Sequence, residues 1–200
     1  MLYAVRMGQQ ITLAALSPAT FTAWTARFMS VYTAAMNPPA RQVSGRESIM
    51  ERHAANPAFR ALAALSPAEE VVGFCYGFRG EPGQWWHDMV AGALAASRSG
   101  GAAGWLDDSF EVAELHVLPE WQAHGIGHSL LLGLTTGRAE RTAVLSTHDA
   151  ESRARRLYRS VGFTDLLTGF RFSGGDPAYA VMGAVLPLRT PVRTPRFSAS

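Results

Sequence analysis

Residues 110–132 read FEVAELHVLPEWQAHGIGHSLLL, and this stretch contains the clearest strand, turn and helix signals in the chain. Residues 110–118 are rich in the apolar residues of a buried strand, and residues 125–138 carry leucines typical of an apolar helix face. A second apolar strand follows at residues 142–146. Two strands joined through one helix predict a β-loop-α-β unit, in which the strands pair in parallel.

Two glycines, Gly125 and Gly127, lie where the first of these strands passes into the helix. Glycine allows a tight turn and close approach by a ligand, while the first amides of a helix point outward without partners. The turn therefore indicates either an anion site or a tight connection that binds nothing. A dinucleotide fingerprint would need a third glycine where the chain has Leu130, and a P-loop would need a lysine, which the chain lacks.

The composition is typical of one soluble globular domain, which we expect over residues 1–186 of the 200. The net charge is only +2, which excludes a basic nucleic-acid arm, so we expect no nucleic-acid partner. No apolar run approaches the roughly 20 residues of a spanning helix, so we expect no membrane association. Cys75 is the single cysteine, which excludes an intramolecular disulfide and fits a reducing cytoplasm.

The remaining segments predict an α/β fold with one insertion. Ser17-Pro18 begins a single helix that runs to about residue 35, and residues 59–65 and 71–78 predict an antiparallel hairpin. Residues 80–108 interrupt this pattern with a helix and glycine-rich loops. The other expected elements are a strand at 2–7, helices at 44–55, 84–96 and 150–160, strands at 164–172 and 179–186, and a disordered tail at 187–200.

Two motifs resemble the signatures of one enzyme family. Gln122-x-x-Gly125-x-Gly127, after Leu-x-Val and a proline, resembles the acetyl-CoA loop of the GNAT superfamily of N-acetyltransferases. Residues 154–163 read ARRLYRSVGF, which is similar to the family's second signature of leucine-tyrosine, three residues, then glycine-phenylalanine. The motifs occur in the family's order with a strand between them, which is more specific than either alone.

This resemblance implies a mixed, mostly antiparallel sheet of six or seven strands, with helices on both faces and a splayed parallel strand pair. It implies acetyl-CoA as co-substrate, with no metal. Main-chain groups exposed by the splay would bind the pantetheine arm, and the glycine turn would hold the pyrophosphate. The implied coenzyme-binding residues are Leu115, His116, Val117, Gln122, Ala123, His124, Gly125, Ile126, Gly127 and His128.

The resemblance also implies catalytic roles. Tyr158 stands where the family carries the tyrosine that protonates the coenzyme thiolate. Glu111 stands where histone-acetyltransferase-like members carry their glutamate base, while Glu114 and His116 could act together instead. Regular alternation places Glu111 and Glu114 on opposite faces, although a bulge would change this. The general base therefore stays open: it could be Glu111 or Glu114, the proton could pass through a water, or there could be no base.

The predicted reaction is direct acetyl transfer from acetyl-CoA to a primary amine of a small molecule or peptide. Glu151 departs from the asparagine that many members carry there, so a coenzyme-binding module without turnover is the alternative. The insertion is expected over the acceptor side, and a homodimer is left open. The aromatic and acidic residues of the insertion predict either an acceptor pocket or simple packing on the sheet. These residues are Trp85, Trp86, His87, Asp88, Trp105, Asp107 and Asp108.

Overall fold

The structure is a computed structural model, and it describes residues 11–97, 104–172 and 177–189. Seven strands form one sheet in the order β1-β2-β3-β4-β5-β7-β6. The strands are β1 Thr12–Leu16, β2 Arg60–Leu65, β3 Val71–Arg79, β4 Ser109–Val117, β5 Thr142–His148, β6 Thr164–Phe170 and β7 Tyr179–Val185. The helices in the described residues are α1 Pro18–Ala23, α2 Thr25–Met36, α3 Ala40–Val43, α4 Arg46–His53, α5 Trp85–Ala96, α6 Ile126–Thr135 and α7 Arg153–Ser160.

Neighbouring strands of the sheet are antiparallel except for β4 and β5, which are parallel. This confirms the predicted mixed sheet and the predicted parallel unit. The β4–β5 pairing covers three positions and ends at Glu111 opposite Val144, although β4 continues to Val117 and β5 to His148. The two strands therefore leave an open gap between their carboxyl-terminal halves.

Helices cover both faces of the sheet. On the face that we call the α6 face, Leu130 and Leu134 of α6 and Tyr158 of α7 pack with Cys75 and Leu145 of the sheet. On the opposite face, called the α2 face, a second cluster joins helices α1, α2 and α4 to β2 and β3. Helix α5 packs on the α2 face over β5 and β7, through apolar residues that include Val90 and Val144. The gap between β4 and β5 thus lies between two helical layers.

The first predicted helix begins as expected but is divided in two. Ser17 caps α1 by accepting from Thr20 N at 3.1 Å, with Pro18 at the first helical position. The prediction of one continuous helix is wrong, because Trp24, at φ −105° and ψ 5°, separates α1 from α2. Thr25 Oγ1 donates back to the carbonyl of residue 22 at 3.0 Å, a bond that competes with regular helical geometry.

Two further segments differ from the predictions. Strand β1 forms at Thr12–Leu16, where no strand was predicted, and pairs antiparallel with β2. The strand predicted at residues 2–7 lies outside the described residues. At the other end, Arg189 N donates to Val161 O at 3.0 Å, so residues 187–189 of the predicted tail lie against the fold. The rest of that tail lies outside the described residues.

Candidate active site

The glycine turn is held against the end of β4. A short 3-10 turn at Pro119–Trp121 follows the strand, and Gln122 Nε2 then donates to Val117 O at 3.0 Å. Ala123 and Gly125 have positive φ angles of 64° and 80°, and α6 begins at the next residue. Only glycine adopts this conformation without strain, which explains the residue at position 125. The predicted strand-turn-helix connection is therefore present.

The main-chain amides of this turn point away from internal partners. Among the described residues, no main-chain carbonyl outside the regular elements accepts from the N–H groups of residues 123–128. Ser129 is the first residue of the helix whose N–H bonds back, to Gly125 O at 3.0 Å. The free amides and the positive end of the α6 dipole make the turn suitable for an anionic group.

The side chains of the turn differ in position. His124 is exposed, whereas Ile126 is buried in the core and can offer a ligand only its main chain. His128 Nε2 is buried and has no hydrogen-bond partner among the described residues. A Cβ on Gly127 would lie 3.4 Å from Leu157 of α7, an ordinary van der Waals contact, so the packing of the two helices does not itself require glycine here.

Strand β4 has an open edge next to the turn. Leu115, His116 and Val117 pair with β3 on one side. On the other side, the described ladder with β5 ends at Glu111. An extended ligand can hydrogen-bond to such an edge as an added strand. The gap thus brings the predicted pantetheine-binding edge and the predicted pyrophosphate turn together.

A bulge in β4 changes which side chains share a face. Gly77 of β3 lies opposite Val112 and Tyr76 lies opposite Glu114, so Ala113 is an extra residue. The prediction that alternation separates Glu111 from Glu114 is wrong, because the bulge reverses the parity after residue 112. Both carboxylates now point to the α2 face, as does the side chain of His116.

Glycine at position 77 makes this bulge sterically possible. A Cβ there would lie 2.3 Å from Glu111 O, a main-chain atom that cannot move aside, and 2.7 Å from the Phe110 ring. Sequence reasoning did not single out Gly77. Its only signal was a glycine within an otherwise apolar strand, which often marks a bulge.

Glu111 is the less solvated of the two carboxylates on the α2 face of β4. The residue is 5% exposed, and its Oε2 atom has no hydrogen-bond partner among the described residues. Burial raises the pKa of the Glu111 carboxyl to about 8, and the negative charge of Glu114 adds to the shift. Glu111 is therefore mostly protonated at neutral pH and becomes a proton acceptor just above it.

Glu114 has the opposite electrostatic character. Arg46 Nη1 donates to Glu114 Oε1, and His116 Nε2 lies 2.5 Å from Glu114 Oε2. Burial would raise the pKa of the Glu114 carboxyl, but the hydrogen bond from His116 and the positive charges of His116 and Arg46 outweigh it and hold that pKa below its usual range. Glu114 is thus ionised, with both oxygens engaged. Sequence reasoning missed Arg46, which lies 68 positions away from its partner.

Tyr158 reaches the same region from the α6 face. It is 7% exposed, and its ring centroid lies 5.7 Å from that of Phe163. Burial raises the pKa of the Tyr158 hydroxyl, and the negative charge of Glu114 adds to this effect. The hydroxyl therefore keeps its proton throughout the physiological range and can donate it.

Helix α7, which carries Tyr158, is fixed by ion pairs. Arg155 is buried and donates to Asp149 at 2.6 Å, and its other terminal nitrogen lies 2.9 Å from Asp165. Glu151 accepts from Arg159 at 2.6 Å, so the residue that departs from the family pattern is paired within the chain.

The insertion does not gather its aromatic and acidic residues into one pocket. Trp86 Nε1 donates to Ser146 Oγ of β5 at 3.1 Å, and the Trp105 ring lies over Gly183 of β7. Trp85 is 59% exposed, with its ring 5.2 Å from that of Phe172. The remaining side chains point elsewhere: Asp88 accepts from Gly83 N, Asp108 pairs with Arg79, His87 contacts Asp88, and Asp107 is exposed. Two of the three tryptophans therefore pack on the sheet.

Two kinds of feature are absent from the described residues. No helix in these ranges has the length and apolar character required to cross a bilayer. No cluster of three or more His, Cys, Asp or Glu side chains is arranged to hold a metal ion there.

Comparisons with known proteins agree with the motifs. The profile of the acetyltransferase (GNAT) domain family matches residues 62–165. The GCN5-like protein acetyltransferase Rv2170 of Mycobacterium tuberculosis is 41% identical over 138 residues, which cover 66% of this chain and 66% of that protein, just under two thirds of its length.

Solved structures of other acetyltransferases share the fold at low sequence identity. The ribosomal-protein-S18-alanine N-acetyltransferase of Escherichia coli superposes with a TM-score of 0.60 at 14% identity, covering 91% of this chain and 97% of that one. Mutant forms of the spermidine/spermine N-acetyltransferase SpeG of Vibrio cholerae superpose with a TM-score of 0.56 at 15% identity, covering 88% of this chain and 94% of that one.

Proposed function

The chain belongs to the GNAT acetyltransferase family, and we propose that it moves an acetyl group from acetyl-CoA directly to a primary amine of a small molecule or peptide. The observation that carries this proposal is the open gap between β4 and β5. Glu111 lies at its closed end, Tyr158 packs in one buried cluster with Val117 of β4 and Leu145 of β5, and the amides of the glycine turn follow the end of β4. The single cysteine, buried Cys75, fits a reducing cytoplasm as the location.

Acetyl-CoA would bind mainly through main-chain groups. The free edge of Leu115, His116 and Val117 would pair with the pantetheine amides, and the N–H groups of residues 123–128 would hold the pyrophosphate. Bound there, acetyl-CoA supplies the activated acetyl carbonyl. Because the edge and the turn are continuous in the chain, binding would also place the thioester along the gap.

Glu111 is the proposed general base. Its carboxylate would take a proton from the acceptor ammonium, so that the neutral amine nitrogen can form a bond to the acetyl carbon. Glu114 is less suited to this role, because Arg46 and His116 already occupy its oxygens. Glu114 would instead contribute a fixed negative charge beside the reacting groups.

Tyr158 is the proposed general acid. As the carbon–sulfur bond breaks, its hydroxyl would give a proton to the leaving sulfur, and the products would be the acetylated amine and free CoA. A hydroxyl that keeps its proton is suited to this step because the thiolate needs a donor. The acetylated nitrogen would lose its extra proton to the phenolate, and Glu111 would release the proton taken from the ammonium to solvent, so that both groups are reset and each turnover releases one proton.

The test is CoA thiol release with acetyl-CoA over a panel of small amines, lysine side chains and peptide amino termini. We expect Tyr158→Phe to lower kcat by about 10- to 100-fold while binding acetyl-CoA normally. Tyr179→Phe on β7 is the matched control, because β5 separates it from the gap, and should keep parental rates. Equal rates for Tyr158→Phe and the parent would remove the acid role.

A coenzyme-binding module without turnover is the second candidate, and the pairing of Glu151 with Arg159 favours it. Calorimetry distinguishes the two candidates. Acetyl-CoA binding together with no thiol release on any amine would establish the module and reject the enzyme.

A further inference from the structure

Arg46 lies in a site whose chemistry suits a cation. It begins α4 directly after Gly45, whose φ is 78°. Its guanidinium carbon lies 4.3 Å from the centroid of the Tyr32 ring, and its Nη1 donates to Glu114. The two paired side chains are 27% and 12% exposed. An aromatic face beside a partly desolvated carboxylate is the arrangement that binds ammonium and guanidinium groups. We call Tyr32 and Glu114 the cation box.

The cation box borders the proposed reaction centre. Glu114 shares the α2 face with Glu111, three residues along β4, because of the bulge at Ala113. The charge of Glu114 also acts on both proposed proton-transfer groups, since it raises the pKa of Glu111 and of Tyr158. A positive group in the box is therefore next to the place where the amine would react.

We propose that Arg46 fills the cation box from within the chain and thereby determines acceptor specificity: the preferred acceptor carries one amine and no second cationic group close to it. This rests on the proposed function. With Arg46 in place, a second ammonium would find the Glu114 oxygens engaged and would meet a guanidinium of like charge. Selection against diamines would thus come from a repulsive group.

The same geometry predicts what happens when the arginine is removed. Arg46→Met keeps an apolar chain over Tyr32 but frees one Glu114 oxygen, so the box becomes available to an ammonium supplied by the acceptor. A diamine can then place one nitrogen in the box and present the other to the thioester. Arg46→Lys keeps the positive charge and should behave like the parent.

The experiment compares butylamine with 1,4-diaminobutane, which differ only in the second amine. For each variant, calorimetry in the presence of CoA gives binding, and thiol release with acetyl-CoA gives kcat/KM. In Arg46→Met we expect the diamine-to-monoamine ratio to rise at least tenfold in both measurements. It should stay within twofold of the parent in Arg46→Lys and in Arg52→Met, which removes an exposed arginine from the same helix.

The outcomes separate this inference from the proposed function. An unchanged binding ratio in Arg46→Met would overturn the role of Arg46, whether or not acetyl transfer occurs. A raised binding ratio without turnover of any amine would support the cation box and reject the enzyme. If Arg46→Met does not fold, Arg46→Gln replaces it: a neutral amide leaves Glu114 without a cationic partner, an ammonium forms a stronger hydrogen bond to the carboxylate and can displace the amide, and the same two ratios are measured.

Discussion

The two faces of the sheet build their functional groups in different ways. On the α6 face, the groups proposed to bind the coenzyme are main-chain amides and a strand edge within one continuous segment, with Tyr158 added from the next helix. On the α2 face, the polar cluster needs Tyr32, Arg46 and Glu114 from three distant elements, together with a bulge. A site made of local main-chain geometry leaves a motif in the sequence, whereas one assembled by packing does not.

The largest effect is expected from Glu111→Gln on the α2 face. We expect kcat to fall about 10³-fold, because the amide cannot accept the proton of the acceptor. In the parent, kcat/KM should rise with pH until about 8, where Glu111 loses its proton, and the variant should lack this rise. Rate measurements from pH 6 to 9 test this, with the exposed Glu51→Gln as control. If Glu111→Gln kept both the rate and the rise, Glu111 would not be the base.

Glu111 should also make stability depend on pH. Its folded pKa is raised to about 8 from the ordinary 4.5, so between these values the folded chain holds a proton that the unfolded chain has lost. The unfolding free energy should therefore fall as pH rises through this window, by up to about 1.4 kcal/mol per pH unit from this group. Denaturant titrations of the parent and Glu111→Gln at pH 5 and 8 should show the difference; parallel pH dependence would contradict the buried, protonated state.

Gly77→Ala tests the bulge that places Glu111 and Glu114 on the same face of the sheet. The new methyl group would lie 2.3 Å from Glu111 O, so we expect a loss of about 3 kcal/mol in unfolding free energy as the two strands separate. Gly92→Ala in α5 has open space around the new methyl and should be neutral or stabilising by up to about 1 kcal/mol. Urea unfolding compares them, and a loss below about 1 kcal/mol in Gly77→Ala would mean that the bulge tolerates a side chain.

This contrast explains how much could be predicted from sequence. The Ser17 cap, the β2–β3 hairpin and the glycine turn depend on interactions between near neighbours, and all three are confirmed. The family fold followed because its first motif lies within the parallel unit and its second lies in α7, the helix that follows that unit.

The failures have three different physical causes. Alternation assigns strand faces only while the register is regular, and the extra residue Ala113 reversed the assignment of Glu114. The break at Trp24 depends on a local side-chain hydrogen bond that helical periodicity does not reveal. Arg46 reaches Glu114 from the first residue of α4, and no spacing in the chain signals a contact across 68 positions.

Gly125→Asp tests the α6 face at its main-chain turn. A side chain at φ 80° strains the turn, and a carboxylate repels phosphate, so we expect acetyl-CoA affinity to fall at least 100-fold. Gly137→Asp is the matched control, because Gly137 also has a positive φ, of 68°, and is exposed beyond the other end of α6. Calorimetry measures the acetyl-CoA affinity of both variants. Normal affinity in Gly125→Asp would mean that the coenzyme binds elsewhere.

The smallest effect is expected from Arg155→Met. This variant tests whether side-chain ion pairs to other elements also help to position α7 on the α6 face. Arg155 ties α7 to Asp149 and to Asp165 at the start of β6; without it, Asp149 keeps only its bond from Gly169 N and Asp165 its pair with Arg159. We expect Tm to fall by roughly 5 °C. Arg156→Met removes the same charge from an exposed neighbour and should leave Tm within about 1 °C. Equal melting of the two variants would mean that apolar packing alone positions Tyr158, and the two faces would then differ even more sharply in how they are built.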